Sequence, residues 1–127
     1  MTHIPPNAAV WFELPVRDMT KAMAFYTEVT GMALQLDETG PNPIAVFQAA
    51  DMATAVAGHL YPGQPAAEGQ GPTVHLATPG KLEDTLERVT AAGGKVLSPA
   101  IEIPAGRFAY CQDLDGNSFG AFAAAGG

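Results

Sequence analysis

Apolar and polar positions alternate over residues 10–16: Phe12, Leu14 and Val16 fall on one face, Trp11, Glu13 and Pro15 on the other. This period of two predicts a strand covered on at least one side. The period then changes. Met19, Ala22, Met23, Tyr26 and Val29 recur at spacings of three and four, which predicts an amphipathic helix. Asp18 stands at its N-cap and Gly31 at the position where a glycine ends a helix. Strands are expected at 32–36, 44–49 and 55–60, the first two separated by the turn residues Gly40, Pro41, Asn42 and Pro43.

The same order then recurs. Residues 61–72 are half Gly or Pro and read as a linker. Beyond it, 73–77 predicts a strand with Val74 and Leu76 on one face and Thr73, His75 and Ala77 on the other. A helix from Lys81 carries Leu82, Leu86 and Val89 and stops at Gly93-Gly94. Strands follow at 95–97, 108–111 and 118–122, the last two joined by Asp113-Leu114-Asp115-Gly116-Asn117, a strong hairpin turn sequence. Leu14 and Leu76, Gly31 and Gly93, Asp51 and Asp113, and Gly58 and Gly120 all lie 62 residues apart. Four identities carry little; the repeated order of elements points to two copies of one unit.

Composition narrows the partners. Of 127 residues, 47% are apolar and 15% charged, which supports one packed core. Gly and Pro, 14 and 11 residues, favour short elements joined by turns over a helical bundle. A net charge of −7 argues against nucleic acid or an anionic membrane as partner. The single cysteine, Cys111, cannot form an intrachain disulfide and fits a reducing, cytoplasmic setting. No apolar run approaches the roughly 20 residues of a membrane helix, and residues 1–7 do not read as a signal peptide.

Three segments carry a family resemblance: FELPVRDMTKAMAFYTEVTGM at 12–32, LEDTLERVTAAGGKVL at 82–97 and GRFAYCQDLDGNSFGAF at 106–122. With the internal repeat, the chain resembles the vicinal oxygen chelate superfamily of glyoxalase I, bleomycin resistance proteins and extradiol dioxygenases. The resemblance implies an α+β fold: two tandem βαβββ modules forming a curved mixed sheet around a cleft, helices outside. It implies one domain over 1–127, with module 1 at about 8–60, a linker at 61–72 and module 2 at about 73–123. It also implies a homodimer.

Enzymes of that superfamily hold a divalent metal with four cleft-facing residues of His and Glu type. One ligand position falls here on Trp11 and its counterpart on Thr73 or Val74; the other two fall on Gly58 and Gly120. None is a strong ligand. No metal or other cofactor is therefore expected, and the metal-based chemistries of the superfamily are not carried over.

Alternation assigns the cleft face. Trp11, Glu13 and Pro15 should face it from the first strand and His75 from the fifth, with Glu13 and His75 opposed across a pseudo-twofold axis. Pairing Asp113 with Ser118 places Cys111 beside Gly120 and Arg107 near Phe122; the same construction puts Phe47 beside Leu60. His59 then turns to the helix side, and Phe108, Tyr110 and Phe119 become core beneath the second helix. The candidate catalytic residues are Glu13 and His75. The candidate substrate-binding residues are Trp11, Phe47, Leu60, Arg107, Cys111 and Phe122, an aromatic pocket suited to a small apolar or cationic molecule. Plainer readings stand beside these: Trp11 as a core aromatic, Glu13 as partner of Arg107 or His75, His75 as a structural histidine, Cys111 as an inert buried thiol.

The turn at 113–117 superficially resembles a calcium loop, but its glycine is misplaced and no Glu follows. No nucleophile elbow, phosphate-binding loop or CxxC is present. The expected function is metal-independent binding of a small organic molecule, with proton transfer of lyase or isomerase type by Glu13 or His75. One alternative is a drug-sequestering protein like the bleomycin resistance proteins. Another is a metal-dependent lyase or dioxygenase with an atypical ligand set built from Glu13 and His75. The residues leave open whether the chain is an enzyme.

Overall fold

The computed structural model describes residues 2–125. Among them, nine strands and two helices follow in the order β1 (Trp11–Val16), α1 (Met19–Thr30), β2 (Leu34–Asp37), β3 (Ile44–Phe47), β4 (Ala57–Pro62), β5 (Val74–Ala77), α2 (Leu82–Ala91), β6 (Lys95–Val96), β7 (Ile101–Ile103), β8 (Gly106–Gln112) and β9 (Ser118–Ala124). Among the described residues no helix is long and apolar enough to cross a membrane.

Local chemistry sets these limits. The Asp18 side chain accepts the Lys21 N–H at 3.0 Å, capping α1, and Gly31 ends it at φ 73°. Lys81 gives α2 no side-chain cap; Glu83 and Asp84 in its first turn and Arg88 in its last complement the helix dipole instead. Pro99 offers no backbone donor, and the strand beside β8 breaks into β6 and β7 around it. Within the break the Ser98 hydroxyl accepts the Tyr110 N–H at 2.9 Å, so that donor is not lost.

The strands form two sheets. The first has the order β1-β4-β3-β2, with β1 parallel to β4 and the rest antiparallel. The second has the order β5-β9-β8-β6, with β7 also on β8, and β5 is parallel to β9. This is the expected α+β pattern of two βαβββ units. The mixed sheet runs as two ladders: among the described residues β1 pairs only with β4, and β5 only with β9.

One core spans both units. Leu14, Val16, Phe25, Tyr26, Val29, Phe47 and Leu60 pack with Leu76, Leu82, Val89, Cys111 and Phe119. Tyr26 sits edge-on to Phe47 and Phe119, with ring centroids 5.6 and 5.7 Å away. Phe25, absent from the helical stripe read in the sequence, is also buried, against Tyr26 and Phe119.

The β8–β9 register differs from expectation by one residue: Gln112, and not Asp113, pairs with Ser118. Asp113 instead organises the turn, accepting the N–H groups of Asp115 and Asn117 at 2.8 and 2.9 Å. Since side chains alternate, a one-residue slip exchanges the two faces of the strand. Cys111 therefore joins the core, and Phe108 and Tyr110 leave it. Small Ala109 and Cys111 face the helices, where Phe119 already fills the space, and the large rings turn to the open side.

Candidate functional site

The face of each sheet away from the helices follows from the registers. In the first sheet, Glu13 pairs with His59 and Pro15 with Tyr61, opposite in sense to buried Leu14 and Leu60. Trp11 lies on the same face, 42% exposed. In the second sheet, His75 pairs with Gly120, Tyr110 with Gly120 and Phe108 with Phe122. The helix-free faces thus carry Trp11, Glu13, His59 and Tyr61 on one sheet, and His75, Phe108, Tyr110 and Phe122 on the other.

His75 rests against two rings in edge-on geometry, Phe108 at 5.1 Å and Tyr110 at 6.0 Å between centroids. Beneath it is Gly120, where a methyl group would overlap the imidazole. The glycine is what lets the ring lie across β9. Among the described residues, the ring nitrogens of His75 make no hydrogen bond.

On the other sheet His59 is fully engaged. Its Nδ1 accepts the Trp11 indole N–H at 2.9 Å, and its Nε2 lies 3.1 Å from Glu13 Oε1. A Cβ at Gly58 would strike the Phe12 ring, so this glycine too makes room for an aromatic.

A cavity of about 560 Å³ opens where the two unpaired edges, β1 and β5, border it. Trp11, Phe12, Met32, Phe47, Val56 and Val74 make it mainly apolar; Gln48, Thr73 and His75 are its polar side chains. Such a lining suits a small, largely apolar molecule held by few polar contacts.

The structure brings Trp11, Phe47 and His75 to this cavity. Phe47 reaches it from the helix side, where it is buried against Phe12 at 5.5 Å. Phe122 shares the open face of His75 but does not line the cavity. Glu13, expected opposite His75, pairs with His59 on its own sheet and does not line the cavity that His75 lines.

Three expected cleft residues lie elsewhere. Leu60 is fully buried in the core, because it pairs with Leu14 and Ala45 on the face that packs against the helices, the face that Phe47 also shares. Cys111 is 1% exposed in the same core, where burial pushes its thiol up to about 11. Arg107, on the helix side of β8, clamps Glu83 of α2 with bonds of 3.1 and 2.6 Å. The Arg107 hydrogen bond holds the Glu83 carboxyl down at about 2.

His59, Phe108 and Tyr110 are what the sequence reading missed on this face. One signal was available for His59: placing large, aliphatic Leu60 in the core forces its neighbour to the opposite face.

The donor chemistry does not fit the superfamily's divalent metal. Trp11 offers only a donor, and His59 has taken it; Gly120 lies under the His75 ring; Glu13 and His59 are occupied with each other. Among the described residues no three His, Cys, Asp or Glu side chains converge as a metal site would require.

The model of the Glyoxalase/Bleomycin resistance protein/Dioxygenase superfamily matches residues 8–120, and the chain belongs to that superfamily. No curated protein matches it significantly. Among solved structures, it is similar to the hypothetical protein SA1046 from S. aureus at 20% identity and a TM-score of 0.68, covering 94% of this chain and 99% of that one. The fosfomycin resistance protein FosX from Mesorhizobium loti is similar at 18% identity and 0.66, covering 94% and 92%. TnmS3, an antibiotic binding protein from Streptomyces sp. CB03234, is similar at 24% identity and 0.62, covering 97% and 100%. At these identities the likeness concerns the fold.

Proposed function

We propose that this protein binds a small, largely apolar organic molecule in the cavity between β1 and β5, without a metal. The observation that carries the reading is one enclosure of about 560 Å³ that joins aromatic walls, Trp11, Phe12 and Phe47, to the unpartnered imidazole of His75. The walls supply apolar contact, and His75 supplies the orienting polar group. The antibiotic-binding relative supports the sequestering form of this reading. The test is equilibrium binding of the neutral fluorophore N-phenyl-1-naphthylamine, followed by a ligand screen, on the parent, Trp11→Ala and His75→Phe. Affinity lost in Trp11→Ala supports the site; equal affinity in all three proteins removes it.

A second reading is favoured by the free nitrogens of His75: proton transfer at a carbon acid of the bound molecule, in a lyase or isomerase reaction. Glu13, paired with His59 and outside the cavity lining, has less support as the base. Solvent-deuterium incorporation into a bound ligand, abolished in His75→Phe, would favour catalysis; tight binding with no exchange would leave sequestration.

The open face also supports a homodimer. Tyr110 is 42% exposed there, and Leu97 and Ile103, in register with Tyr110 and Gly106, extend the apolar surface. The lone buried thiol supports a reducing, cytoplasmic setting, and the charge of −7 supports a small molecule over nucleic acid as partner. Sedimentation velocity tests the dimer directly.

A further inference from the structure

We infer that His59 is a positioning residue that fixes Trp11 as a wall of the cavity by accepting its indole N–H, with Glu13 paired to the far side of the imidazole. The inference rests on the cavity reading above and adds to it the residue that orients the wall.

The direction of the Trp11–His59 bond follows from the atoms. An indole Nε1–H can only donate, so the Nδ1 it meets at 2.9 Å must present a lone pair. A neutral imidazole then carries its single proton on Nε2, which faces Glu13 Oε1 at 3.1 Å. The negative carboxylate beside that N–H polarises the ring electrostatically, which strengthens the acceptor at Nδ1. His59 alone spans Trp11 and Glu13, and it can do so in one tautomer only.

The surroundings hold this arrangement. The His59 side chain is 12% exposed, while Glu13 is 64% exposed and free to adjust. Tyr61 meets the imidazole edge-on at 6.2 Å, and the Trp11 and His59 rings are tilted by 49°. Trp11 is partly exposed at the end of β1 and would otherwise rotate; the bond to His59 costs it that freedom before any ligand arrives, which favours binding by preorganisation. It also has a consequence for selectivity. The indole N–H is consumed within the protein, so Trp11 offers a ligand apolar ring surface and no donor. The wall therefore selects for apolar surface, and polar contact falls to His75, Thr73 and Gln48.

The chain has one tryptophan, so one indole N–H signal and one emission report this residue. Long-range ¹H–¹⁵N NMR on the parent protein reads the tautomer directly. A His59 ring protonated on Nε2 and bare on Nδ1, with a slowly exchanging Trp11 indole proton, is expected. A ring protonated on Nδ1 overturns the inference with no variant needed. His59→Phe should shift Trp11 emission to the red and weaken N-phenyl-1-naphthylamine binding roughly five- to tenfold, the loss of about one good hydrogen bond. His59→Gln, which keeps one acceptor and one donor, should restore both. Ala49→Phe, which adds a ring to the cavity lining, separates this inference from the reading beneath it. If Ala49→Phe abolishes binding while His59→Phe changes neither emission nor affinity, the positioning role fails and the cavity stands. If Ala49→Phe leaves binding unchanged but His59→Phe still moves the emission, the positioning role stands and the cavity reading fails.

Discussion

The Tyr26 hydroxyl, on α1, donates to Asp113 Oδ2 in the β8–β9 turn at 2.6 Å, inside the core. It joins the two halves of the chain at a buried point. The same carboxylate also accepts the Asn117 amide at 3.0 Å, and Asn117 donates on to the Pro15 carbonyl of β1 at 2.8 Å. Arg17 closes the outer rim, with its backbone and guanidinium both 3.2 Å from Asp115 Oδ1. The turn of the second unit is thereby tied to β1 and α1 of the first. Burial first, then the Asp113 charge, pushes the Tyr26 hydroxyl well above its ordinary range, so it remains a donor.

Removing that donor should destabilise the whole chain. Tyr26→Phe leaves Asp113 short of one charge-assisted bond in a buried place, at a cost of about 1.5–3 kcal/mol. Urea unfolding should show a lower midpoint with an unchanged slope. An unchanged midpoint would mean that the latch contributes nothing.

Gly120→Ala should act on the site and not on folding in general. Its methyl group would occupy the space of the His75 ring, so the imidazole must leave its seat against Phe108 and Tyr110. The His75 ring resonances should shift, and N-phenyl-1-naphthylamine affinity should fall severalfold. Gly40→Ala, whose added carbon would meet only a backbone oxygen at 3.9 Å, serves as the control. Equal behaviour of the two variants would show that His75 does not depend on Gly120.

Arg107→Ala should leave ligand binding unchanged, because the guanidinium is spent on Glu83. Its effect on stability should appear above pH 4.5 and fade in acid. The Glu83 carboxyl is held at about 2 against an ordinary 4.5, so its contribution is present above pH 4.5 and is lost as pH falls toward 2. NMR titration of Glu83 should show the low value in the parent and a return toward 4.5 in the variant. A low value surviving in the variant would place its cause elsewhere.

Cys111 should resist thiol reagents in the native protein. Burial raises its thiol from 9.0 to about 11, so it stays protonated while an unfolded thiol ionises. The folded state therefore loses stability as pH rises through 9 toward 11. Ellman's reagent at about pH 8, below the ordinary thiol range, should react only after denaturant is added. Immediate reaction with native protein would contradict the buried placement.

Local signals made much of this fold legible. Asp18 and Gly31 bracket α1 as capping chemistry requires, and alternation in β1 and β5 separates Leu14, Val16 and Leu76 from Trp11, Glu13 and His75. Helix limits, turns and strand faces of this kind depend on residues a few positions apart, and the sequence by itself determined them. Registers between strands do not. Where Asp113 turned inward to bind its own turn and Tyr26, β8 slid one residue, and Cys111 exchanged faces with Tyr110. Leu60 went to the core with Ala45, which brought His59 to Glu13 and Trp11. Only the tertiary structure decided these faces, because a register is a choice between whole sets of contacts made by residues distant in the chain.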